Sequence, residues 1–506
     1  MNKQYILAVD QGTSSTKCLV FDGQGKVVCK VTEPLKTHYL GGGLVEQEPE
    51  AIYQNVLDAI KKCTDIFKLN GGNLANISCC GISNQRETFL VWDKDGMPLH
   101  NALVWQCKRS VGVCEVLKAD GLEPLIKERT GLIIDPYFSG TKMLWLYKNN
   151  EAITNAVDNG EAYFGTIDTW LLYKFTNGTQ YYTDHTNASR TLFFNLHTLQ
   201  WDIEILNAFG LSGLNLPEIK PSSSLYGQSN FGGIFDIPVN ITAMIGDSHA
   251  AAFGEGCFAP GTAKATLGTG CSILMNVGNA AKTSANGMVT TICWSTEDRV
   301  DYALEGVIVS CGATVEWIKN ELGLFKEISE TEAMACSVAD NNGVYIVPAF
   351  SGLGAPYWQM DRKAEITGLT FDCNKNHITR AALESIGYLV RDVLEAMQID
   401  AGISLSELMI HGGITANKFV VTFLADLLPC NLICNDMPDI SAKGAAMLAG
   451  LNAGVFADIE YIKNLAGKNS PIKKGFYAEN ISLYYSEWRK RVGITGSLRP
   501  VSKRRQ

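Results

Sequence analysis

Two aspartates in this 506-residue chain stand where a phosphoryl group could be held and a hydroxyl deprotonated. Asp10 ends the apolar run Tyr5-Ile-Leu-Ala-Val9 and opens the turn Gln11-Gly12-Thr13-Ser14-Ser15. A second apolar run then closes at Asp22-Gly23-Gln24-Gly25, a tight-turn signal. In such a hairpin mouth the glycine lets backbone N–H groups approach phosphate oxygens, and the hydroxyls of Thr13, Ser14 and Ser15 add donors. The carboxylate can hold Mg2+ through water. An ordinary hairpin with a polar turn has the same composition, so this stretch alone leaves both readings open. Asp247 follows Ile241-Thr-Ala-Met-Ile245-Gly246 and precedes small residues, a position suited either to a general base or to a helix N-cap. Ser248 and His249 beside it do not make a hydrolase pair. Sequence neighbours rarely aim both groups at one atom, and the second glycine of a nucleophile elbow is missing.

Other phosphate chemistries lack their signatures. No G-x-x-x-x-G-K-[ST] occurs, no G-x-G-x-x-G follows a strand, and the protein-kinase motifs are absent as a set. A second strand–turn–strand pattern does occur, at Ala263-Lys-Ala-Thr-Leu-Gly268-Thr-Gly-Cys-Ser272-Ile-Leu-Met-Asn276.

The elements that must position these groups alternate in type. Strands are predicted near 5–10, 16–22 and 26–31, and a helix from about Pro49 to Phe67 with Glu46, Glu48 and Glu50 at its start. A buried strand follows at Ile77–Ile82, then Phe89-Leu-Val-Trp92 running into the Asp93–Gly96 turn. Helices are expected near 312–322, 376–400 and 441–454. The class is α/β. Each half opens with a phosphate-type turn, which suggests a duplicated fold with nucleotide in the cleft between the halves. Length alone favours two large domains. We expect them at 1–250 and 251–490, followed by a disordered tail at 491–506.

Composition excludes several classes. The net charge of −9 argues against nucleic acid or an anionic membrane as partner. No apolar stretch approaches the ~18–20 residues of a membrane span. The N-terminus enters the hairpin directly, so no leader is expected and the cytoplasm is the expected compartment. Fifteen cysteines include no C-x-x-C pair and mostly sit in apolar runs, which reads as buried reduced thiols. Seven histidines show no metal-ligand spacing.

The first hairpin resembles the phosphate hairpin of the actin, heat-shock chaperone and sugar-kinase superfamily. Further blocks resemble the glycerol kinases of the FGGY carbohydrate kinase family. They include Asn84-Gln-Arg86-Glu87-Thr, Ala102-Leu-Val-Trp105-Gln, Asp135-Pro-Tyr137-Phe, Thr183-Asp-His-Thr-Asn187-Ala-Ser-Arg190, Tyr302-Ala-Leu-Glu-Gly306 and Gly352-Leu-Gly-Ala-Pro-Tyr357-Trp. The resemblance runs in order from about residue 5 to 460. It implies two actin-like (ribonuclease H-like) ATPase domains with an interdomain cleft, using ATP and Mg2+ to phosphorylate a terminal hydroxyl of a small polyol or sugar. Position by position, it implies metal binding by Asp10 and Asp247, and nucleotide phosphates at Thr13, Ser14, Ser15, Gly268, Thr269 and Gly312. It further implies adenosine at Gly412, Gly413 and Asn417, and an acceptor pocket of Arg86, Glu87, Trp105, Tyr137 and Asp247, with Asp247 as base. A donor fork and a carboxylate, Arg86 and Glu87, suit vicinal hydroxyls. A homodimer or homotetramer is also implied.

Three positions depart from that pattern. Where glycerol kinases usually carry Gln, Phe and Asp, this chain has Ser248, Ser272 and His411. The first two changes shrink acceptor-pocket side chains and add hydroxyls. Glycerol and a four- or five-carbon polyol or ketose are therefore both expected acceptors. Two readings of other classes use the same turns: an actin- or chaperone-type ATPase, and a catalytically silent sugar-binding protein. The set Arg86, Glu87, Trp105, Tyr137 and Asp247 separates the kinase from the ATPase, which would not need it.

Overall fold

The strand Tyr5–Gln11, whose end carries Asp10, lies inside the first of two six-stranded sheets. The computed structural model describes residues 4–435, 439–465, 470–475 and 480–493. In the first sheet, Tyr5–Gln11 pairs antiparallel with Ser15–Asp22, which pairs antiparallel with Val27–Pro34. On its other side it pairs in parallel with Ile77–Asn84, which pairs in parallel with Val239–Gly246. The second sheet repeats this plan. Thr262–Leu267, Cys271–Gly278 and Arg299–Ile308 form the antiparallel run. Glu407–His411 and Asn431–Cys434 add the parallel strands on the other side of Thr262–Leu267. Each sheet gains one antiparallel edge strand, Ser223–Ser229 in the first and Val289–Thr296 in the second. The duplicated α/β fold expected from the two turns is thus present as a matching order of five strands, the sixth lying at opposite ends of the two sheets.

Crossover strands in such sheets are covered on both faces and read as continuous apolar runs. Ile6, Leu7, Ala8 and Val9 are accordingly all fully buried. The helix Pro49–Leu69 begins with Pro at its first position and turns Ile52, Val56, Ala59, Ile60, Cys63 and Phe67 inward. That helical spacing makes one apolar stripe, laid on the sheet beside Val20 and Cys29.

One helix does not stay with the sheet that precedes it in sequence. Ile440–Asn452 lies against the helix Asp247–Gly254 and the first sheet, sharing a core with Ile6, Ala8, Ala243, Ala250 and Phe253. The approach is backbone to backbone, because a Cβ at Gly444 would collide with the Ala250 carbonyl. The same core takes in Leu274, Cys293 and Ala303 from the second sheet, so it bridges the halves.

The C-terminal helix ends where the tail is expected to begin. The helix Ile481–Arg491 is fixed by Trp488 Nε1 and Tyr485 OH, which donate to Asp392 at 2.7 and 2.6 Å. The rest of the expected 491–506 tail, from 494, lies outside the described residues. Among the described residues no two cysteines form a disulfide, and all are buried except Cys336, Cys373 and Cys434. Among the described residues no helix is long and apolar enough to cross a membrane.

Candidate active site

Strand register brings the two aspartates to one end of the first sheet. Asp10 sits opposite Ser83 in the parallel pairing, and Ser83 Oγ donates to Asp10 Oδ1 at 3.0 Å. Gly246, which precedes Asp247, sits opposite Asn84. Asp247 is the first residue of its helix and Gly246 is the N-cap, so the N-cap reading of Asp247 does not hold. Burial, and to a smaller degree the Asp247 charge, pushes the Asp10 carboxyl up to about 6 against the opposing pull of Lys17. Two carboxylates in each other's field form an acidic pair that a divalent cation would relieve. Among the described residues no group of three or more His, Cys, Asp or Glu side chains is set to hold a metal. The donor set nonetheless fits Mg2+, which keeps several waters and is commonly held by one or two carboxylates and the substrate's phosphates.

The turn after Asp10 is closed by Gly12 N–H donating to Ser15 C=O at 3.0 Å, with Ser14 exposed at its tip. Thr13 faces sideways instead. Its hydroxyl accepts from Trp105 Nε1 at 2.9 Å and donates to Gln85 Oε1 at 3.2 Å. Thr13 therefore ties the turn to Trp105, whose ring meets Tyr137 edge-on at 5.7 Å. Burial raises the Tyr137 phenol, which stays a neutral donor.

A four-membered ion network forms the floor beside Asp247. Arg86 Nε donates to Asp247 Oδ1 at 3.1 Å, and Arg86 Nη1 to Glu305 Oε1 at 2.8 Å. Arg190 Nε donates to Glu87 Oε1 at 2.5 Å, and Arg190 Nη1 lies 2.6 Å from Glu305 Oε2. Both arginines, Glu87 and Glu305 are buried, while the Asp247 side chain is 40% exposed. Burial alone would raise the Glu305 carboxyl, but Arg190 and Arg86 hold it well below the usual carboxylate range. For Glu87 burial prevails over the same two arginines, and its carboxyl is raised. Glu87 also has φ +58, outside the range favoured by non-glycine residues.

The second turn is built from below. Gly312 N–H donates to Gly268 C=O at 2.9 Å, while Cys311 and Ala313 N–H groups donate to Thr269 C=O at 2.9 and 3.0 Å. A Cβ at Gly312 would come within 2.7 Å of that Gly268 oxygen, so only glycine fits. Gly312 is buried and its N–H is engaged, so it supports the turn rather than lining it, whereas Thr269 is exposed. The segment Gly412–Gly413 lies alongside, with Ile414 against Gly312. Asn417 is turned away as the cap of Lys418–Leu427. Its Oδ1 accepts from Val420 N–H, and its Nδ2 donates to Thr331 Oγ1 at 3.0 Å.

Ser248, Ser272 and His411 belong to one connected network. Lys264 Nζ donates to Ser248 Oγ at 2.7 Å and to Thr266 Oγ1 at 3.0 Å. Ser248 and Ser272 hydroxyls lie 3.3 Å apart, and Ser272 Oγ donates to Glu305 Oε1 at 3.2 Å. Thr266 Oγ1 meets His411 Nε2 at 2.9 Å, and His411 Nδ1 meets Glu255 Oε1 at 2.8 Å. Sequence reasoning did not single out Arg190, Glu305, Lys264 or Glu255. The available signal was a charged residue inside an apolar strand, as in Ala263-Lys264-Ala265 and Ala303-Leu-Glu305.

Residues 5–254 match the profile of the N-terminal domain of the FGGY family of carbohydrate kinases, and residues 263–453 that of its C-terminal domain. The glycerol kinase of Shewanella amazonensis is 45% identical over 469 residues, covering 92% of this chain and 94% of that protein. The glycerol kinase of Desulfitobacterium hafniense is 43% identical over 491 residues, covering 97% and 99%. In three dimensions the chain is similar to Plasmodium falciparum glycerol kinase with ADP, with a TM-score of 0.91 and 34% identity over 98% of this chain and 99% of that one. A gluconate kinase from Lactobacillus acidophilus shares the fold at a TM-score of 0.85 and 21% identity, over 97% and 99% of the two chains.

Proposed function

The chain belongs to the FGGY family of carbohydrate kinases, and from that premise we propose that it transfers the terminal phosphoryl group of ATP to a primary hydroxyl of glycerol or a close polyol relative. The observation that carries this reading is Asp247. Its carboxylate is oriented by Arg86, which Glu305 holds in turn, and it stands at the sheet end shared with Asp10.

In this reading Asp247 takes the proton of the acceptor hydroxyl, the freed oxygen bonds to the γ-phosphorus, and the bond to the β-phosphate oxygen breaks to release ADP. Such assistance by a placed base is worth about 10²–10⁴-fold. Arg86 and Glu87 face the non-reacting hydroxyls, and Trp105 and Tyr137 form the apolar wall. The backbone N–H groups of Thr13 and Ser14 in the first turn and of Thr269 and Gly270 in the second cradle the phosphates, with adenosine toward Gly412 and Gly413. Asp10 and Asp247 would hold Mg2+, which supplies charge neutralisation to the phosphates when bound. We divide the chain near residue 250, and take the enzyme to work in the cytoplasm as a homodimer or homotetramer.

Product balance tests the reading. With MgATP and glycerol, ADP should form in step with phosphorylated acceptor, and inorganic phosphate should stay at background. Phosphate released in step with ADP, with or without acceptor, would identify an ATPase instead.

A further inference from the structure

We propose that Ser248 and Ser272, polarised by the ammonium of Lys264, form a subsite that reads one hydroxyl beyond the three of glycerol, so that the preferred acceptor is a polyol of at least four carbons. The inference rests on the phosphotransferase reading above and specifies its acceptor.

The direction of the hydrogen bonds carries the argument. An ammonium only donates, so Ser248 Oγ receives Lys264 Nζ at 2.7 Å on a lone pair. Ser272 has an ionised carboxylate beside it and gives its proton to Glu305 Oε1 at 3.2 Å. Ser248 is left presenting a proton, and Ser272 a lone pair, across a gap of 3.3 Å. That gap, like the 3.2 Å from Ser272 to Glu305, is long for an O–H···O bond, whose usual length is about 2.7–2.8 Å. An alcohol oxygen entering beside the pair accepts from Ser248 and donates to Ser272, completing both. A carbonyl oxygen satisfies only Ser248, and a methyl or methylene satisfies neither.

The subsite is contiguous with the chemistry. Ser248 directly follows Asp247, and Glu305 Oε1 is shared between Ser272 and Arg86. Both serines are partly exposed, whereas Lys264 behind them is fully buried. Lys264 makes no salt bridge within 4.0 Å among the described residues, only the bonds to Ser248 and Thr266. Burial disfavours the charged form of Lys264, a cost that its bonds to two hydroxyls offset only in part. Its ammonium fixes which way Ser248 points its proton. Lys264 is thus a positioning residue that acts through Ser248.

The remaining groups are already matched to glycerol. Asp247 takes the reacting hydroxyl. Arg86 Nη2 and Glu87 Oε2, the atoms not engaged in the pairs described above, suffice for the other two. The serine pair is then surplus to a three-carbon acceptor.

The test compares kcat/KM, at saturating MgATP, for erythritol, both threitols and 1,2,3-butanetriol, which is a tetritol lacking one terminal hydroxyl, with glycerol as the reference. A site built to bond a hydroxyl rejects the analogue lacking it far more strongly than an apolar pocket rejects a size change. At least one tetritol should exceed 1,2,3-butanetriol by tenfold or more and exceed glycerol. In Ser248→Ala/Ser272→Ala and in Lys264→Met the tetritol-to-butanetriol ratio should fall to near one. That ratio does not move if Lys264 only supports the fold, because both acceptors would then suffer alike. If glycerol is phosphorylated but no tetritol surpasses 1,2,3-butanetriol, the subsite inference is overturned while the kinase reading stands. If no acceptor draws ADP from MgATP, the kinase reading itself fails.

Discussion

Glu305, on a strand of the second sheet, holds Arg86, at the end of a strand of the first, through Arg86 Nη1 at 2.8 Å with both side chains buried. The contact joins the two halves of the chain at the point where Arg86 also orients Asp247. Geometry at the candidate base therefore depends on a carboxylate more than 50 residues beyond it in sequence.

Replacing that carboxylate tests the dependence. Glu305→Gln leaves Arg86 and Arg190 buried with less compensating charge, and breaking a buried pair typically costs about 3–5 kcal/mol. Chemical unfolding should register a loss of that order, reduced by whatever hydrogen bonding the amide retains. kcat should fall by about a hundredfold or more, as expected when a catalytic group is misplaced by an ångström. Unchanged stability and rate would mean that the arginines are held by other means.

Asp10 gives a pH signature. Its carboxyl is raised from 3.8 to about 6, mainly by burial, so the folded protein binds a proton that the unfolded chain has already lost between those values. Its contribution to stability is therefore full below the unfolded value and is lost as pH rises through about 6. Cation binding needs the ionised form. The KM for MgATP should accordingly rise as pH falls below about 6, and MgATP binding in that range should release a proton detectable by calorimetry in two buffers. Asp10→Asn should melt no lower than the parent at pH 7 yet lose at least a hundredfold in kcat. A variant that melts lower and keeps its activity would reverse both conclusions.

Gly312 predicts an effect confined to the nucleotide side. The Cβ of Gly312→Ala would stand 2.7 Å from Gly268 C=O, forcing the second turn to move. Overpacking of this kind costs about 1–3 kcal/mol. The KM for MgATP should rise tenfold or more while the acceptor KM changes little. Equal effects on both would show that the turn also shapes the acceptor pocket.

Trp488 provides a contrast far from the chemistry. Trp488→Phe removes the donor to Asp392 and leaves a buried acceptor short of one bond, a loss of about 1–3 kcal/mol. Thermal melting should fall and kcat/KM should not. A kinetic effect would connect the C-terminal helix to the cleft.

Local patterns foretold part of this arrangement. Asp10 and Asp247 were legible because an acid closing an apolar strand before small residues is a local pattern, and the strand–turn–strand repeats at 5–22 and 262–278 gave the duplicated sheet. Arg190, Glu305 and Lys264 were not singled out, because only contacts between distant parts of the chain bring them beside Arg86 and Ser248. Gly312 was placed on the phosphate surface, but its N–H is engaged beneath the turn, a distinction that no local pattern carries. The position of Ile440–Asn452 on the first sheet had only the hint of its small residues Gly444-Ala-Ala, which permit close helix contact. The anchoring of the last helix was not legible, because Trp488 and Tyr485 find Asp392 nearly a hundred residues away.

The central claim is that Asp247 is the base for transfer to a polyol hydroxyl. The most direct measurement is ADP release by Asp247→Asn at saturating MgATP and glycerol, beside the parent enzyme, with melting temperatures taken on both. The account predicts a fall in kcat of about 10²–10⁴-fold with folding intact. A variant that turns over at the parent rate would contradict it.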